Sequence, residues 1–116
     1  MTTLEQAYRE LGADYEGVTK RLMGDALVGR FVGKFFEDES FENLRAALAA
    51  KDVKAAFMAA HTLKGICQNL GFDNLFAPAS ALTEVLRADS LEGADELFAQ
   101  VEAEYNRTAE VLKPCL

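Results

Sequence analysis

Apolar residues recur at steps of three and four along this whole chain and nowhere alternate in a run of β-branched residues, a pattern that favours helices and excludes a sheet. Ala, Leu, Glu and Lys, all strong helix formers, dominate the same stretches. Thr3-Leu4-Glu5-Gln6 reads as a capping box that opens a helix over about 3–11, with Leu4, Tyr8 and Leu11 on one face and Gly12 placed to end it. A second short helix, about 14–22, carries Tyr15, Val18 and Leu22. Gly24-Asp25 restarts the chain into a helix over about 25–38, where Leu27, Phe31 and Phe35, flanked by Val28, Val32 and Phe36, form a broad apolar face. Ser40 is placed to cap a helix over about 40–50 that turns Phe41, Leu44 and Leu48 inward, and Lys51-Asp52 makes a tight joint. Over about 52–70, Val53, Phe57, Ala60, Leu63, Cys67 and Leu70 fall at helical steps before Gly71. Leu75, Ala79, Leu82 and Leu86 repeat the spacing over about 74–89, where Pro78 either kinks the helix or begins it as the first residue. The last helix, about 94–113, points Ala94, Leu97, Phe98, Val101, Tyr105, Thr108 and Leu112 inward and stops at Pro114.

Stripes of this kind, joined by short loops, bury one another as a mostly antiparallel bundle. The expected fold is all-α, a four-helix up-and-down bundle with the two amino-terminal helices capping one end. Its 116 residues are read as one stand-alone domain, too small to house a nucleotide-binding kinase core together with a substrate domain. Charge narrows the partners. Twelve Lys and Arg against nineteen Asp and Glu leave a net −7, which opposes generic nucleic-acid binding, where a basic face supplies most of the affinity. Cys67 and Cys115 do not form a C-x-x-C pair and there is a single histidine, so one chain cannot assemble a four-ligand zinc set; both cysteines are expected as free thiols. The start Met1-Thr2-Thr3-Leu4-Glu5-Gln6 is neither basic nor apolar, and no run of about 18 apolar residues occurs, so a soluble, cytoplasmic protein without membrane contact is expected. Asn106-Arg107-Thr108 matches a glycosylation acceptor by chance on that reading.

The single histidine carries the information. At about 100° per residue, His61 lies about 100° from Ala60, which marks the centre of the apolar sector of its helix. It therefore faces solvent. Lys64, Gly65 and Gln68 follow it at i+3, i+4 and i+7, and Lys54 precedes it at i−7, so the five make one exposed stripe. A neutral imidazole nitrogen is a nucleophile at physiological pH, and a lysine one turn away offers a point charge to a phosphoryl group on that nitrogen. Gly65 costs its helix roughly 0.5–1 kcal/mol relative to Ala, a cost that close approach of another molecule would explain.

His61-Thr62-Leu63-Lys64-Gly65-Ile66-Cys67-Gln68-Asn69-Leu70-Gly71 resembles the H-x-L-K-G-x-x-x-x-L-G signature of histidine-containing phosphotransfer domains, the intermediate carriers of multistep phosphorelays. The order of helices from about Asp14 onward is similar to that family's bundle as well. The resemblance implies that His61 accepts a phosphoryl group on Nε2 from a receiver-domain phospho-aspartate and passes it to another receiver. Lys64 would pair with the phosphoryl oxygens, Gly65 would leave room for group and partner, and Gln68, with Lys54 beyond it, would belong to the docking face. It further implies a monomeric carrier that is not an enzyme, has no ATP site or cofactor of its own, and relies on Mg²⁺ bound to the receivers of response regulators or hybrid sensor kinases.

Two other readings use the same residues. One is a non-catalytic docking bundle in which His61 is never phosphorylated; the other is the phosphoacceptor domain of a chemotaxis-type kinase, charged by a kinase domain using ATP. An ATP-binding loop of its own is excluded, because Gly24 to Gly29 is followed by Arg30-Phe31 where a P-loop needs Lys-Ser/Thr, and no strand precedes it. A Cys-His hydrolase fails too, since Cys67 turns toward the core side of the helix that carries His61.

Overall fold

The computed structural model describes residues 3–116, so Met1 and Thr2 of the amino-terminal reading lie outside the described residues. Seven α-helices follow one another: α1 (Leu4–Leu11), α2 (Tyr15–Leu22), α3 (Asp25–Glu37), α4 (Ser40–Ala49), α5 (Val53–Leu70), α6 (Asp73–Arg87) and α7 (Ala94–Leu112). A 3₁₀ turn at Lys113–Cys115 finishes the chain, and there is no strand among the described residues. No described helix is long and apolar enough to cross a membrane.

The up-and-down bundle is built from α4, α5, α6 and α7. Short joints make each helix antiparallel to the one before, and the ring is closed between first and last by Phe41, which stacks on Tyr105 at 4.1 Å and on Phe98 at 5.5 Å between ring centroids. Arg45 bonds Glu102 across the same seam at 2.8 Å. The helix over 25–38 was expected inside the bundle; instead α3 packs against α2 and α5 and joins the amino-terminal group. That group is tied to the far end of α5. The Tyr8 hydroxyl donates to the Leu70 carbonyl at 2.7 Å, and two Arg21 contacts of 3.1 and 3.2 Å satisfy the carbonyls of Gln68 and Asn69, so orphan acceptors of the last turn find donors. Gly71 is needed here twice over, because its φ of +73° is left-handed and a Cβ would come within 2.8 Å of the Asp14 carbonyl.

The apolar stripes meet in one core that includes Val28, Val32, Leu44, Ala60, Leu63, Cys67, Leu75, Leu82, Val101 and Leu112, all at most 1% exposed. Local differences from the sequence reading have local causes. Ser40 is not the cap of α4; it is the first helical residue, buried, and the Asp38 carboxylate accepts its N–H at 2.8 Å. Pro78 does not begin α6, which runs through it from Asp73, because Phe72 is fully buried against Tyr8 and Phe35 and so fixes the helix start one turn and more earlier. Val53 and Phe57 are half-buried rather than core, since their side of α5 looks along the seam with α6. Leu27, also assigned to an apolar face, is exposed at the outer side of α3.

Candidate functional site

Helix α5 is an interior member of the bundle with one side left open. Asp52 caps it, its carboxylate accepting from the Ala55 N–H at 3.1 Å, and the left-handed turn at Gly71 ends it. Eighteen residues between those caps carry the buried side chains Ala56, Ala59, Ala60, Leu63, Cys67 and Leu70 on one face, which fixes the rotation of everything else. His61 is exposed on the opposite side, as its angular offset requires.

One edge of the imidazole is walled. The Phe57 ring meets the His61 ring in a T-shaped contact, with centroids 5.7 Å apart and planes at 81°. The Arg87 guanidinium, from α6, lies 5.0 Å from the centroid of the same Phe57 ring. Phe57 thus stands as an apolar partition between histidine and arginine, leaning on both. Lys64, one turn beyond His61, is directed to the α5–α6 seam: its Nζ lies 3.9 Å from Glu84 Oε1 and 6.0 Å from the Phe76 ring centroid. Glu84 in turn accepts from Arg87 Nε through its other oxygen at 3.1 Å.

Gly65 is exposed, and a Cβ built there meets no atom within 4 Å. The protein itself therefore has no steric need for glycine at this point. Gln68 is exposed with its side chain outward, while its backbone carbonyl is the one Arg21 caps. Lys54 is exposed two turns before His61, roughly 10 Å along the axis, at a shallow cleft it lines with Phe57, Leu86, Arg87 and Asp89. So the structure groups His61, Lys64 and Gly65 closely and sets Gln68 and Lys54 at either end of the stripe. Cys67 faces the core, and burial pushes its thiol up to about 12, well out of the range of a reactive nucleophile. Among the described residues no three His, Cys, Asp or Glu side chains come together as a metal site.

The family model for the Hpt domain matches residues 31–111, from the middle of α3 almost to the end of α7. The chain belongs to the Hpt domain family. No curated protein and no solved structure gives a match. Hpt domains are phosphoryl carriers of phosphorelays that use a histidine, interact with receiver domains and have no kinase activity of their own. The only histidine of the chain, His61, lies within the matched segment and is exposed.

Three residues of this neighbourhood escaped the sequence reading: Phe76, Glu84 and Arg87, all on α6. The Glu84 and Arg87 pair at i+3 was visible as a helical ion pair. Its position over α5 was not, because periodicity gives the rotation of each helix about its own axis and says nothing of which neighbour a half-buried flank will meet.

Proposed function

We propose that this Hpt protein is a phosphorelay intermediate in which His61 takes the phosphoryl group from a receiver-domain phospho-aspartate and returns it to the aspartate of another receiver. The observation that carries the reading is the pairing of an exposed His61 with an open, Cβ-free position at Gly65 one turn away, inside the segment matched to the family. In the forward step the Nε2 lone pair attacks phosphorus, the P–N bond forms, and the bond from phosphorus to the aspartyl oxygen breaks to release a carboxylate. The reverse step on a second receiver regenerates free imidazole.

A loose phosphoryl transfer needs positioning and charge compensation more than covalent assistance, and here those tasks divide between partners. The Hpt chain supplies a nucleophile whose ring is steadied by Phe57, a cation at Lys64, and clearance at Gly65. The receiver supplies the acyl phosphate and its bound Mg²⁺. Lys54 and Gln68 lie at the ends of the face that the receiver covers, and the carrier acts as a cytoplasmic monomer.

The test mixes the purified protein with Mg²⁺ and receivers charged by acetyl phosphate. Label that survives base and is lost in acid is expected on the wild type and not on His61→Gln, which keeps its helical circular dichroism because the site is off the core. Labelling of His61→Gln, or its absence on folded wild type across a broad receiver panel, overturns the proposal and leaves the docking bundle. Charging only by a kinase catalytic domain with ATP would instead identify the chemotaxis-type acceptor.

A further inference from the structure

Lys64, the one cation beside His61 on α5, already has a carboxylate partner. The two contacts that Glu84 makes are unequal. Its bond to Arg87 Nε is a 3.1 Å charge-assisted hydrogen bond between neighbours on one helix, whereas its 3.9 Å approach to Lys64 Nζ is too long for a hydrogen bond and spans two helices. Arg87 is itself steadied on the Phe57 face. Glu84 therefore keeps a cation at its carboxylate when Lys64 leaves, and Lys64 is the partner with the longer, weaker contact. Lysine suits this, being a compact charge on a flexible stem.

We propose that Glu84 is a resting-state counter-ion of Lys64, which leaves Glu84 for the phosphoryl group when His61 is charged. Resting on the assignment of His61 as phosphoacceptor, this makes Glu84 a positioning residue that sets how strongly the site holds its cargo. A phosphoryl group brings more negative charge than a carboxylate and offers three acceptor oxygens, so it outcompetes a 3.9 Å ion pair for the lysine. The competition works in both directions. Because Lys64 must give up Glu84 to bind the phosphoryl group, the charged state is held less tightly than by a free lysine, and onward transfer is correspondingly easier. A carrier that must both accept and release benefits from that balance. No covalent bond to Glu84 is involved; only the partner of an ammonium group changes.

The experiment charges His61 chemically with phosphoramidate, a small-molecule histidine phosphoryl donor, so that it does not depend on finding the right receiver. NMR then follows the Lys64 Cε and Glu84 carboxylate carbon signals of the full chain. Both signals are expected to move on charging the wild type, and the Glu84 signal to stay still in Lys64→Ala. In parallel, equilibration with a receiver should leave Glu84→Gln with a charged-to-free His61 ratio up to about fivefold above wild type, the upper end of the span expected for an exposed ion pair. That gain should vanish in the Lys64→Ala background, where there is no lysine to release. A stationary Glu84 signal in charged wild type, or an equal gain in both backgrounds, overturns the exchange. Phosphoramidate charging without charging by any receiver counts against the relay reading alone, and the NMR arm then decides the role of Glu84 by itself.

Discussion

At the scale of single residues, Gly65 separates stability from function most cleanly. Nothing in the bundle lies where its Cβ would be, so Gly65→Ala should raise stability by about 0.5–1 kcal/mol through helix propensity, read as a higher urea midpoint. Gly65→Gln, with a side chain long enough to occupy the approach, should slow phosphoryl transfer from a receiver at least tenfold while remaining folded. A stable Gly65→Gln protein with wild-type transfer would show that glycine is not there for the partner. His61 differs, because its chemistry resides in a nucleophilic ring nitrogen for which Gln, whose amide nitrogen lone pair is delocalised, has no equivalent, and its substitution is expected to abolish transfer without a stability cost. The sequence shows why both residues are exposed, since their angles from Ala60 follow from helix geometry. The engagement of Lys64 with Glu84, by contrast, depends on α6 lying over that flank of α5.

At the scale of elements, the far end of α5 is where the amino-terminal helices earn their place. Tyr8 is fully buried and its hydroxyl, held neutral by burial that raises its pKa, donates to the last carbonyl of α5. Tyr8→Phe keeps the ring packing but leaves the Leu70 oxygen unpaired, so equilibrium unfolding should show a loss of about 1–3 kcal/mol. A loss near zero would mean that solvent reaches this oxygen. Helix α6 teaches a different lesson. Pro78 removes an N–H from the second turn, and by local rules alone it makes a good first residue. Burial of Phe72 between the rings of Tyr8 and Phe35 outweighs that preference and draws the helix start back to Asp73. At the start of α4 it is the Asp38 carboxylate, not the Ser40 hydroxyl, that takes a free N–H of the first turn, that of Ser40 itself.

For the whole molecule, Cys67 reports global unfolding. It is fully buried at the centre of the bundle, and its folded pKa of about 12 lies above the unfolded value of 9.0, burial being the larger cause and the charge of Asp38 the smaller. The neutral thiol is favoured in the fold, so its contribution to stability is complete below pH 9.0 and falls as pH rises toward about 12. Denaturant midpoints should therefore decline across that alkaline window, and less steeply for Cys67→Ala after correction for its lower baseline. At neutral pH a thiol reagent should modify the half-exposed Cys115 quickly and Cys67 only at the rate or population of opening. Rapid native-state labelling of both would contradict the closed core.

The chain alone determined that the protein is helical, where each helix runs to within a residue or two apart from the start of α6, and that His61, Gly65 and Gln68 share an exposed stripe. These are consequences of an apolar pattern with one period and of helix geometry, both local. Which four helices close the ring, where α6 begins, and that Glu84, Arg87 and Phe57 form the flank of the histidine site were decided only in three dimensions. Those features arise from contacts between segments distant in sequence, where burying one large ring or seating one charged pair outweighs the preferences of the residues on either side.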